Sequence, residues 1–311
     1  GLFLLQEWAL PPQFWLTGSL RWDYNRLRAE DFFLSDGDDS GGRRYRNLSP
    51  SLGISYEWRP AQFLYANYSY SFETPALSEL SANPEGGGFN TSLNPQRAYN
   101  TEAGGKGQLS GGWSYQLAAF YIALQQELQP YELPGQPGRV FFRNAGRSER
   151  LGIEAALQWE SRSPWSANAS YTYSHFQYRD YQLSGADFSG NFLPGIPEHQ
   201  AWAALSYDYS RQGSLTVEGR YLSEIFANDA NTAAADDYLL LGLRASQSWQ
   251  WGSWRGQLFG GVNNLLDASY QANVRLNAFG GRYFEPGQAR NYYIGVSVKI
   301  GGDKASEKDH L

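Results

Sequence analysis

The chain has 311 residues, of which 18% are charged and 16% aromatic, with a formal net charge of −6. Its longest apolar run, Leu117 to Leu124, is less than half of the roughly 18 residues that a membrane helix needs, so a helical membrane protein is excluded. The acidic balance also argues against a binder of nucleic acid or of an anionic membrane surface, and the absence of Cys excludes disulfides and thiolate metal sites.

From the N-terminus onward the dominant pattern is alternation with period two. Phe14, Leu16, Gly18, Leu20, Trp22 and Tyr24 oppose Trp15, Thr17, Ser19, Arg21, Asp23 and Asn25. The same pattern returns in Leu151, Ile153, Ala155, Leu157 and Trp159, and again in Tyr292, Ile294, Val296, Val298 and Ile300. Stretches of this kind start near residues 1, 13, 49, 62, 97, 113, 147, 165, 198, 214, 237, 253 and 289. They predict thirteen strands and no helix.

Tight turns lie at Pro11-Pro12, Arg59-Pro60, Gly111-Gly112, Ser163-Pro164, Gln212-Gly213 and Trp251-Gly252. Between them, on the opposite side, fall long loops at 26–48, 74–96, 127–146, 179–197, 227–236 and 266–288. A soluble sandwich also alternates, but its strands are shorter and its loops do not sort into a long and a short set. An antiparallel transmembrane β-barrel shows both features. Trp8, Trp15, Trp58, Trp113, Trp159, Trp165, Trp249, Trp251 and Trp254 cluster at the short turns, as a girdle at a membrane interface requires. On this all-β reading Ile153 and Val296 face lipid, while Glu154 and Ser297 face the lumen.

Enzymatic readings find little support. The three histidines, His175, His199 and His310, have no metal spacing, and no GxSxG elbow or phosphate-binding glycine loop is present. The acidic turn from Asp36 to Ser40 is similar to a calcium loop, yet its twelfth position is Asn47, not Glu. Copper is disfavoured as a ligand because Met and Cys are both absent. No catalytic residue, metal or cofactor is expected.

Several segments carry a family likeness. Val262-Asn263-Asn264-Leu265-Leu266-Asp267-Ala268-Ser269-Tyr270, the run from Gly280 to Gly287, and Arg290-Asn291-Tyr292-Tyr293-Ile294-Gly295-Val296 closely resemble the last hairpin of TonB-dependent outer-membrane receptors. Phe72-Glu73-Thr74-Pro75-Ala76-Leu77-Ser78-Glu79-Leu80 with Asn94-Pro95-Gln96, the run from Phe142 to Glu154, and Leu193-Pro194-Gly195-Ile196-Pro197-Glu198-His199 resemble other parts of the same siderophore receptor family.

The resemblance implies a 22-stranded barrel, filled by an N-terminal plug, that takes up ferric siderophores with energy relayed by TonB. Against that pattern the thirteen strands correspond to the C-terminal part of the barrel, over 1–300, followed by a polar tail at 301–311. A plug is expected to be absent, and the lack of an initiator Met fits a processed product or fragment. The implied location is the bacterial outer membrane. The implied partners are a ferric siderophore or similar ligand, the TonB complex acting through the missing plug, outer-membrane lipid and the barrel-assembly machinery. A receptor for another bulky ligand, such as an organic cofactor, and a diffusive porin-like channel are the alternatives.

Candidate ligand contacts are the arginines in or beside the long loops, because a guanidinium binds anionic groups in a fork. Those singled out are Arg143, Arg147, Arg275 and Arg282, with Tyr283 beside the last.

Overall fold

The computed structural model describes residues 1–300 apart from Asp36, Pro137, Ala145, Ser161 and Ser184. The expected tail at 301–311, with His310, lies outside the described residues. Thirteen strands form one sheet in which each pairs antiparallel with the next in sequence. They are β1 (Leu2–Leu10), β2 (Phe14–Ala29), β3 (Gly41–Arg59), β4 (Gln62–Glu73), β5 (Gln96–Leu109) and β6 (Trp113–Gln125). Next come β7 (Arg147–Glu160), β8 (Trp165–Asp180), β9 (His199–Ser210), β10 (Gly213–Leu222), β11 (Tyr238–Trp251), β12 (Trp254–Asn263) and β13 (Asn291–Ile300).

The short turns carry the chemistry that the sequence requires of them. Gly111 and Gly112 between β5 and β6 have φ of 79° and 83°, a left-handed conformation that a side chain would strain. Beside these turns the aromatic girdle is a set of ring contacts: Trp113 on Trp159 at 5.6 Å, Trp165 on Tyr207 at 4.5 Å and Phe14 on Tyr56 at 4.3 Å.

Two expectations are corrected. The first long loop shrinks to 30–40, because β2 and β3 stay paired out to Ala29 and Gly41. A five-residue α-helix, Leu77–Ser81, also stands in the second loop, where Glu79 accepts the Ala76 N–H at 2.8 Å and Leu80 is wholly buried. Further short strands form hairpins within the third to sixth loops: 128–132 with 140–144, 182–183 with 186–187, 225–226 with 234–235, and 271–274 with 284–286.

The two faces of the sheet separate as alternation demands. Leu117, Ile153 and Val296 belong to an apolar face and remain 51%, 43% and 62% exposed. So large a continuous apolar surface requires a nonaqueous partner. On the opposite face Glu154 sits between Ala118 and Thr172, and Ser19 bonds Ser51 at 2.6 Å.

No second neighbour pairs with β1 or β13 among the described residues. An odd number of alternating strands begins and ends in the same direction, so these two edges run parallel. They cannot complete an antiparallel ladder with each other.

Candidate outer-loop site

The six long loops gather at one end of the sheet, at 30–40, 74–95, 126–146, 181–198, 223–237 and 264–290. Two nodes hold them together. The first is apolar: Leu80, Phe89 and Leu93 of the second loop pack with Leu27 and Ala29 of β2 and with Leu128 and Phe142 of the third loop. Arg43 fastens the same loop to β3 by donating to the carbonyls of Thr91 and Leu93. Asn144 then donates to the Asn94 carbonyl at 2.8 Å and accepts the Asn94 N–H at 2.7 Å.

The second node is polar and centres on Asp229 of the fifth loop, whose side chain is only 4% exposed. Its Oδ1 accepts from the Tyr178 hydroxyl at 2.9 Å and from Asn277 Nδ2 at 3.0 Å. Its Oδ2 accepts from Arg143 Nη2 at 2.9 Å and from the Tyr181 hydroxyl at 3.1 Å. Both backbone groups are engaged as well: the Asp229 N–H donates to Asn277 Oδ1 at 3.0 Å, and its carbonyl accepts from Asn191 at 2.8 Å. A buried carboxylate with this many donors is fully satisfied. Burial first, and then the Asp229 charge, push the Tyr181 hydroxyl above the ordinary tyrosine range.

The sequence-predicted residues fall into different settings. Arg143 is tied into the node: beyond its ion pair it donates from Nε to the Tyr181 hydroxyl at 2.5 Å and lies 4.6 Å over the Tyr131 ring. Arg282 is half exposed and reaches Glu132 of the third loop at 3.4 Å, and Arg275 pairs with Glu285 across its own hairpin at 3.3 Å. Tyr283 stands beside them, its hydroxyl accepting from Asn228 at 3.5 Å. Arg147 stands apart. It shares the face of Leu151 and Ile153 on β7 and pairs with Asp180 at 3.7 Å, so it points toward the membrane side.

Sequence reasoning missed Asp229, Tyr178, Tyr181 and Asn277. The Asp229 partners on other elements lie 38 to 86 positions away, beyond the reach of any local motif. It named Glu154 as facing the lumen but not Glu102 of β5, which pairs with Asn67 of β4 and Phe120 of β6 on the same face.

A groove of about 590 Å³ lies between Leu117, Ala155, Ala169, Ala203, Gly219 and Tyr221. Its apolar lining belongs to the membrane-facing side, so it is not the site of a polar ligand. No group of three or more His, Cys, Asp or Glu able to hold a metal occurs among the described residues. What the outer end offers is a rim of cations, tyrosines and amides suited to reversible recognition of an anionic or polyoxygen ligand.

Comparison with known proteins agrees with this architecture. A family model described as TonB dependent receptor-like, beta-barrel, matches residues 1–265. The ferrioxamine B receptor of Salmonella typhimurium is 27% identical over 233 residues, covering 73% of this chain and 31% of that receptor. The siderophore receptor PiuA from Acinetobacter baumannii has the same fold, with a TM-score of 0.75, 19% identity, and coverage of 95% of this chain and 42% of the other. The copper transporter OprC is similar to the same degree, with a TM-score of 0.76, 17% identity, and coverage of 96% and 47%. The chain thus spans about a third of the length of the curated relative it matches.

Proposed function

This chain belongs to the TonB-dependent receptor β-barrel family, and on that premise we propose that it is the C-terminal part of an outer-membrane barrel that takes up a ferric siderophore with energy from TonB. The similarity to the ferrioxamine B receptor is the observation that carries the choice of ligand class. The two parallel edges support the rest of the reading. Closing an antiparallel barrel from thirteen strands takes an odd number of further strands, and nine would give the 22 of the plugged transporters. Residues 1–300 are then barrel wall, with lipid against the apolar face.

On this reading the loops capture the ligand, the plug passes the TonB signal, and release completes a transport cycle without covalent chemistry. The half-exposed Arg275 and Arg282, with Tyr283, present donors to the ligand, and Arg143 is held behind them by Asp229. Arg147 takes no part because it stands on the membrane side. Glu102 and Glu154 face whatever fills the lumen.

The test is equilibrium binding of ferric hydroxamate, ferric catecholate and ferric citrate to the full-length receptor, with and without Arg275→Ala and Arg282→Ala together. At least one complex is expected to bind, and the double variant to weaken it about tenfold, equivalent to about 1.4 kcal/mol. Failure of all three to bind would refute the ligand class. Unchanged affinity in the double variant would refute the assigned contacts.

A further inference from the structure

We infer that the third, fourth, fifth and sixth outer loops form one cooperative lid keyed by Asp229, so that the rim opens as a unit. Every corner of the node comes from a different element. Arg143 belongs to the third loop, Tyr178 and Tyr181 to the end of β8 and the start of the fourth, Asp229 to the fifth and Asn277 to the sixth. Asn191 of the fourth loop holds the Asp229 carbonyl, and Asn231 of the fifth donates to the Phe192 carbonyl at 2.9 Å while accepting the Phe192 N–H at 2.7 Å. Asn277 reaches a third element as well, donating to the Pro130 carbonyl at 3.3 Å.

The energetics follow from burial. Tyr178 and Tyr181 are essentially without solvent contact and pack with Leu193, so water cannot replace a donor that leaves. Withdrawing any one loop strands a buried carboxylate with fewer partners, which costs more than the lost hydrogen bond itself. The state with one loop displaced is therefore disfavoured against both the fully closed and the fully open states, which is the condition for concerted motion. The second loop joins this body through the hairpin at 128–144 alone among the contacts above, by way of Leu128, Phe142 and Asn144.

Coupling among the loops stands on these contacts; its role as a lid over a ligand rests on the receptor reading. Hydrogen–deuterium exchange of the full-length receptor in detergent, without ligand, separates the two, because exchange does not depend on what is transported. Asn277→Ala removes the bonds from the sixth loop to Asp229 and to Pro130 and none to the fourth loop. Exchange is expected to rise about tenfold or more in 126–146, 181–198 and 223–237 as well as in 264–290, with the sheet strands unchanged. Asp229→Asn is expected to affect the same segments. Asp187→Ala, which removes the acceptor of the Ser189 N–H at 2.9 Å, should alter 181–198 alone. An Asn277→Ala effect that leaves 181–198 unchanged would overturn the inference, even if Asp229→Asn fails to fold.

Discussion

Placing arginine on either face of one strand pair measures whether the two faces meet lipid and water. Ile153 lies near the middle of the 14 residues of β7 and is 43% exposed on the apolar face. A tilted strand gains about 2.5 Å of height per residue, from a rise of about 3.3 Å at roughly 40°. An apolar band about 25 Å tall therefore takes about ten residues, which puts Ile153 close to the bilayer midplane. Ile153→Arg should then cost about 2–4 kcal/mol. Thr172 of β8 pairs with Glu154 on the opposite face, where a guanidinium finds both water and a carboxylate. Thr172→Arg should cost less than about 1 kcal/mol. With a urea slope of about 1–3 kcal/mol/M, the first variant lowers the unfolding midpoint by about 1 M or more and the second hardly moves it. The assay is urea unfolding of the full-length receptor in lipid vesicles, followed by tryptophan fluorescence. Equal midpoints for the two variants would refute the assignment of faces.

Limited proteolysis should cut first in the first loop, where Phe32 is 90% exposed, while the second loop resists because Leu80 and Leu93 are buried; early cutting in 74–95 would contradict the packing described. Alkaline titration should open the polar node. Unfolded tyrosine ionises near 10 and Tyr181 ionises higher in the folded loops. Its contribution is therefore whole below pH ~10 and is lost as pH rises through the folded value. Protection in 181–198 that falls below pH 9, after allowance for base-catalysed intrinsic exchange and before any tyrosinate absorbance appears, would contradict this origin.

The thirteen strands were legible because each spans an apolar band and so must alternate. Legibility fails where that constraint ends. Residues 41–48, with Arg43, Arg44 and Arg46, are polar on both faces, yet they continue β3 because their ladder with β2 extends beyond the membrane. The helix at Leu77–Ser81 is a single short turn with no periodicity to detect. The hairpin at 128–144 contains Pro130 and owes its form to loop packing rather than to pattern. At the site, alternation bears on one of the five expected residues. Arg147 has the parity of Leu151 and Ile153, so alternation itself puts it on the membrane side. Asp229 had no such signal, since its partners are assembled only by the fold.

Uptake of labelled iron by cells tests the central claim most directly. The full-length receptor, supplied to a receptor-deletion strain, is expected to restore accumulation of at least one ferric siderophore. That accumulation should vanish when TonB is deleted or the proton gradient is collapsed. Accumulation that persists without TonB and scales linearly with external ligand would mark a diffusive channel and contradict the account.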